Sequence, residues 1–173
     1  MKNVFREILD AVGLSLVVFI LIQTSMQNFK VEGASMSPTL DSGQYLIVNK
    51  LAYVNVDLVR LSKLIPIWRV KELKDNHNVR SPIRGEIIVF RFPDPNPNNR
   101  KRDFVKRVIG VPGDKIAIVN GVVWVNGEPL YEGYLRFRDA FNLDERVLKE
   151  KHYFVLGDNR TGSNDSRAWG AVP

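Results

Sequence analysis

Residues 8–26, ILDAVGLSLVVFILIQTSM, constrain the fold more than any other part of the chain. No charge interrupts residues 11–22; Asp10 stands near one end, and Gln23, Thr24 and Ser25 soften the other. Nineteen helical positions at about 1.5 Å each give roughly 28 Å, close to the hydrocarbon thickness of a bilayer. A helix is expected, because backbone groups in lipid must be satisfied within the segment. A cleaved leader would need a small-x-small site after the run, and Thr24-Ser25-Met26-Gln27-Asn28-Phe29 offers none. A buried helix of a soluble domain would show polar positions at helical spacing, whereas residues 12–22 are apolar nearly all round. The expectation is an uncleaved single-pass anchor. Lys2 and Arg6 favour an N-terminal tail, residues 1–7, on the cytoplasmic side, although Glu7 and Asp10 weaken the cue.

Residues 27–173 then form one domain, long enough to bury a sizeable core. The net charge of +6 asks for an anionic partner. Nucleic acid is disfavoured: the sequence has no zinc-finger spacing, no RNP-type aromatic motif and no helix-turn-helix pattern. Its positive charge is also scattered, apart from Arg100-Lys101-Arg102. An anionic bilayer surface suits a tethered basic domain better. The absence of cysteine removes disulfides, thiolate nucleophiles and cysteine-bound metals together. His77 and His152, the only histidines, form no metal-ligand spacing.

Beyond Met26 the pattern is one of strands and turns. Residues 44–49 and 86–92 are rich in β-branched and aromatic side chains. Residues 115–119, then Asn120-Gly121, then residues 122–125 read as a hairpin, since a type I′ turn needs positive φ at both central positions. Asn126-Gly127 adds another turn, residues 153–156 a short strand, and residues 93–99 (PDPNPNN) a loop. Residues 62–81 and 136–149 look inserted: both are charged and read as briefly helical, and Trp68 suits either a lipid interface or a partly buried core. The fold class expected is mainly β, with small helices and one membrane stem.

Two residues carry the chemistry. Ser35 lies in Gly33-Ala34-Ser35-Met36-Ser37-Pro38-Thr39-Leu40, where Pro38 fixes a turn. Lys106 lies in Asp103-Phe104-Val105-Lys106-Arg107-Val108-Ile109; in a strand its side chain shares a face with Phe104 and Val108 and points at an apolar surface. A serine needs a base to become a nucleophile, and a lysine can be that base if it is held neutral. Its pKa would have to fall about 3 units from roughly 10.4 to act near neutral pH, a cost of about 4 kcal/mol that burial at one site can supply. Taken alone, Ser35 reads as a loop serine and Lys106 as a lysine whose stem packs while its head reaches water.

Together with Gly157-Asp158-Asn159-Arg160 and Ser163-Asn164-Asp165-Ser166-Arg167, these segments resemble the motif set of the bacterial type I signal peptidases, in order, content and placement behind an anchor. The resemblance implies a large antiparallel β-sheet domain on the extracytoplasmic face of the plasma membrane, near the secretion machinery. It implies an endopeptidase that removes signal peptides from preproteins after small-x-small, Ala-x-Ala-like sites. Ser35 would be the nucleophile, Lys106 the general base and Ser163 a hydroxyl that orients the lysine. Arg107, Asp158, Arg160, Asp165 and Arg167 would be structural charge pairs. No metal or organic cofactor is implied. Many relatives carry serine where this chain has Gly33, so the oxyanion would rest mainly on the Ser35 backbone N–H, with Gly33 a lesser contributor. Val31, Met36, Leu40 and Val105 are candidates for a shallow apolar substrate pocket, and Asp103, Phe104 and Val105 for pairing with substrate as an added strand. Lysine rather than histidine at 106 points to the bacterial type. Relatives continue for a short stretch beyond the motif that here closes at Pro173, as in either a fragment or a short natural form. Two other readings stand beside this one. A self-cleaving serine–lysine regulator would need a cleavable Ala-Gly or Cys-Gly bond, which is absent; a catalytically inactive anchored binding module would need the dyad to be misplaced.

Overall fold

The computed structural model describes residues 2–49, 80–92 and 102–173. Nearly all of the expected insertion at 62–81, with Trp68, and the whole 93–99 loop lie outside them. The described chain falls into two compact units, Met1–Phe29 with Ile47–Ser81, and Lys30–Leu46 with Pro82–Pro173.

The first unit holds helix α1, Lys2–Ser25, whose end carries a hydrogen bond from the Ser25 hydroxyl to the Ile22 carbonyl at 2.7 Å. Its large apolar side chains, including Phe5, Leu14, Val17, Phe19 and Ile22, are exposed on every side. Among the described residues no helix is long and apolar enough to cross a membrane. Strand β1 (Met26–Lys30) takes over from the helix directly and pairs with β2 (Tyr45–Asn49).

The second unit is built from two further antiparallel sheets. Strands β3 (Ile87–Arg91), β4 (Asp103–Gly110) and β9 (Phe154–Leu156) form one, in the order β3-β4-β9. Strands β5 (Lys115–Val119), β6 (Val122–Val125), β7 (Glu128–Pro129) and β8 (Leu143–Val147) form the other, in the order β7-β6-β5-β8. The β5–β6 hairpin turns on Asn120 and Gly121 at φ 48° and 77°, the left-handed pair that a type I′ turn demands. Asn126 and Gly127 repeat the device between β6 and β7.

Two expectations need correction. The domain is mainly β but is divided among small sheets rather than built on one large one. Residues 136–149 contain a strand, β8, not a helix. The outer edge of β5 offers backbone groups that Leu143–Val147 satisfy, and Leu143 packs on the core while the charged residues beside it face water. That is a largely exposed edge strand anchored by Leu143, for which a charged sequence is suitable.

The core lies on both faces of β4, because successive side chains of a strand point to opposite sides. Ile109 joins Ile116, Ile118, Val123, Val125, Phe154 and Leu156 in one apolar cluster, and Val108 joins Ile88, Val155 and Val172 in another. The short helix α2 (Ser166–Trp169) brings Trp169 against the second cluster. Both clusters depend on β9 filling the space beside β4. Leu156→Ala is therefore expected to cost about 2–5 kcal/mol, read as a lower urea midpoint with an unchanged denaturant slope.

Candidate active site

Register along β3 and β4 sets the position of the lysine. Phe104 lies opposite Phe90 and Lys106 opposite Ile88, so the Lys106 stem runs along the face carrying Phe104 and Val108. That face is lined by aromatic rings: Phe90 meets Phe104 and Trp169 edge-on, and Phe92 packs on the same two rings. Lys106 is only 3% exposed, and its ammonium nitrogen lies 5.4 Å from the centre of the Phe104 ring. Burial pulls its pKa below the ordinary lysine value, and Asp165 and Asp158 oppose part of that fall. Its Nζ donates to Ser35 Oγ at 2.8 Å and to the Val105 carbonyl at 2.9 Å. The two residues the sequence singled out, 71 positions apart, thus meet at hydrogen-bond distance.

Ser35 sits on a loop whose base is closed by bonds from the Val31 N–H to the Gln44 carbonyl at 2.8 Å and from the Gly43 N–H to the Val31 carbonyl at 2.9 Å. Met36, 1% exposed, plugs the loop into the domain, and the Leu40 N–H donates to the Met36 carbonyl at 3.0 Å. The Ser37–Pro38 peptide is cis. From the other side the 157–159 turn reaches the loop. The Asn159 N–H donates to the Ser35 carbonyl at 3.0 Å, and Asn159 Nδ2 to the Ala34 carbonyl at 3.1 Å. A side chain at Gly157 could not be accommodated: a Cβ there would stand 2.2 Å from Ser163 Oγ and 2.5 Å from the Ser35 carbonyl oxygen.

Ion pairs brace this turn. Arg107 grips Asp158 with two bonds, Nε to Oδ1 at 2.9 Å and Nη2 to Oδ2 at 2.7 Å, while its plane lies 4.0 Å from the centre of the Tyr134 ring. The fully buried Asp165 accepts from the Gly157 N–H at 3.0 Å and from Arg167 Nε at 2.8 Å. Arg167 also pairs with Asp139 and donates to the Arg160 carbonyl at 2.7 Å. Arg160 forms a buried pair with Glu132, which in turn accepts from the Tyr134 hydroxyl at 2.7 Å. Burial first, then Glu132, pushes the Tyr134 hydroxyl well above its ordinary range and keeps it a neutral donor. Forked guanidinium–carboxylate pairs of this kind hold a geometry that exposed pairs do not.

The sequence-predicted residues do not all assemble. Ser163 Oγ is buried without a hydrogen-bond partner, so the expected contact with the lysine amine is not made; Lys106 spends its bonds on Ser35 and Val105 instead. Val31 and Met36 are almost closed to solvent, at 6% and 1% exposed. Leu40, Phe104 and Val105 keep partial exposure and Asp103 is open, paired with Arg91 at 3.1 Å. Gly33 is exposed at φ 86°. Among the described residues, β9 pairs with β4 only from Arg107 onward, which leaves residues 103–105 without a strand on that side. Sequence reasoning missed Glu132, Tyr134, Asp139 and any role for Asn159. The first three are set far from the motifs, whereas Asn159 stood inside one. Among the described residues no group of His, Cys, Asp and Glu side chains could hold a metal ion.

A serine hydroxyl held against a buried lysine amine is the arrangement that base-assisted nucleophilic catalysis requires. The chain belongs to the signal peptidase family, peptidase S26, which matches residues 3–173. Signal peptidase I of Bacillus caldolyticus is 40% identical over 159 residues, covering 84% of this chain and 71% of that protein. The probable signal peptidase I-2 of Synechocystis is 32% identical over 167 residues, covering 93% of this chain and 66% of its own length. A solved signal peptidase I from Enterococcus faecalis V583 is 34% identical, covering 54% of this chain and 90% of that one, at a TM-score of 0.44. The chain therefore spans about two thirds of the curated relatives it matches.

Because folding lowers the Lys106 pKa, the folded state holds fewer protons than the unfolded chain between that lowered value and the ordinary one. The destabilisation is therefore complete below the lowered pKa and is relieved as pH rises toward about 10.4. Lys106→Met should exceed the parent in urea midpoint at low pH, with the gap shrinking as pH rises. A gap that is flat or widens with pH would show that the amine does not carry this cost.

Proposed function

We propose that this chain is a membrane-anchored serine endopeptidase that removes signal peptides from preproteins, cleaving after small-x-small sites with Ser35 as nucleophile and Lys106 as general base. The observation that carries the reading is the 2.8 Å approach of the buried Lys106 Nζ to Ser35 Oγ. With the amine neutral, its lone pair accepts the Ser35 proton as Oγ bonds to the scissile carbonyl carbon. Collapse of the tetrahedral intermediate breaks the C–N bond, and Lys106 returns the proton to the leaving amine. A water then attacks the Ser35 ester, Lys106 takes the water's proton, and the released Oγ recovers it. Electrostatic stabilisation of the oxyanion falls to the Ser35 backbone N–H, with Gly33 offering no side chain.

Substrate binding by strand addition is supported by the unpaired edge at Asp103, Phe104 and Val105, with Leu40 and Val105 as the accessible apolar surface for small side chains. Ser163 can support the lysine only after a shift that brings its hydroxyl to the amine. The anchor is supported by the uncharged run at 11–22 and by the apolar side chains that α1 leaves exposed all round. On this reading the partners are preproteins and the lipid bilayer of the plasma membrane, close to the secretion machinery, with the catalytic domain on the extracytoplasmic face.

The test is cleavage of a synthetic preprotein segment whose signal ends in Ala-x-Ala, by detergent-solubilised protein, with products identified by mass. Cleavage after the second alanine is expected, reduced on the order of 10⁴-fold or more in Ser35→Ala and in Lys106→Ala. No cleavage by folded parent protein in lipid would favour a binding module instead.

A further inference from the structure

The nucleophile loop has one feature that its chemistry depends on and its own sequence does not secure. The peptide joining Ala34 to Ser35 is trans, so its carbonyl and its N–H point in opposite directions from one rigid plane. Aiming the Ala34 carbonyl one way therefore aims the Ser35 N–H the other. Gly33, at φ 86° with open space around it, sits one residue before that plane and offers no side chain to brace it. The turn bond from the Ser37 N–H to the Ala34 carbonyl is 3.2 Å long and belongs to the same loop, so it moves with it.

We infer that Asn159 is a positioning residue that fixes the plane of the Ala34–Ser35 peptide and thereby aims the Ser35 N–H at the developing oxyanion. Its side-chain amide donates to the Ala34 carbonyl at 3.1 Å, and its backbone N–H donates to the Ser35 carbonyl at 3.0 Å. Both peptide planes flanking the Ser35 Cα are thus gripped by one residue. Among the described residues no acceptor engages the Ser35 N–H itself. The amide is in turn held: Asn159 Oδ1 accepts from the Gly162 N–H at 3.2 Å and from the Thr161 hydroxyl at 3.2 Å. Those two bonds fix which end of the amide is the donor and turn it toward Ala34. Asp158, locked by Arg107, and Arg160, locked by Glu132, hold the residues on either side.

The inference rests on the serine–lysine reading above, and the experiment separates the two. Asn159→Asp keeps an oxygen for Gly162 and Thr161 but faces the Ala34 carbonyl with an acceptor. Turnover of the preprotein segment should fall roughly 10- to 100-fold, short of the 10²–10³ for outright loss of an oxyanion donor, with KM little changed. A peptide aldehyde, which adds the Ser35 Oγ–H across its carbonyl and leaves an oxygen in the hole, should lose affinity by the same factor. A peptide carrying a methylene in place of the scissile carbonyl should bind as it does to the parent. Turnover within about threefold of the parent, or equal losses for both peptides, overturns the inference. Should Asn159→Asp fail to melt cooperatively, the same ratios are read on Asn159→Ala, which removes the donor without adding charge. Unimpaired cleavage by Ser35→Ala would instead bring down the dyad reading, and this inference with it.

Discussion

Removing one ammonium group from water is the constraint around which this domain is arranged. An amine at 3% exposure, beside a phenyl ring and above an apolar strand face, is costly to charge, and the structure gives it a hydroxyl and a carbonyl rather than a carboxylate as its direct partners. A carboxylate within bonding distance would stabilise the charged amine. Two aspartates do lie close enough to raise the lysine pKa, but each is already committed, Asp158 to Arg107 and Asp165 to Arg167. The ion pairs therefore do more than stiffen a turn. They also engage the two carboxylates whose charge acts on the lysine.

From that constraint the rest follows in layers. Strand β4 must be a central strand, since only a residue paired on β3 and flanked by a packed face can be buried so deeply. Strand β9 ends before it reaches the level of Lys106. The 157–159 turn that follows β9 is then at the right place to hold the Ser35 loop by its backbone, and Gly157 allows the approach. Buried arginine–carboxylate pairs are weak evidence for stability in general, yet here they link residues 107, 132, 139, 158, 160, 165 and 167, which are scattered in sequence, into one scaffold.

Much of this was legible in the sequence, for reasons that differ by residue. The two Asn-Gly turns were readable because left-handed backbone at adjacent positions is a local demand. The face of Lys106 was readable because a strand alternates, and its aromatic and β-branched neighbours identified the strand. Glu132 and Asp139 were not readable, because a partner contributed across the fold leaves no local pattern. Strand β8 was misread because its charges belong to an exposed edge, where neither helical nor alternating apolar periodicity marks the element. Ser163 shows the limit of transfer by resemblance: the residue type is present, and its hydroxyl stands buried without the expected bond.

The proposed mechanism requires Lys106 to be neutral against Ser35 at working pH. The direct measurement is a pH titration of the Lys106 side-chain nitrogen by NMR in protein labelled with ¹⁵N-lysine, assigned by the signal lost in Lys106→Met. A single amine titrating well below the ordinary lysine value of about 10.4, apart from the other lysines, is the expected result. A Lys106 that titrates with them, or above them, would contradict it.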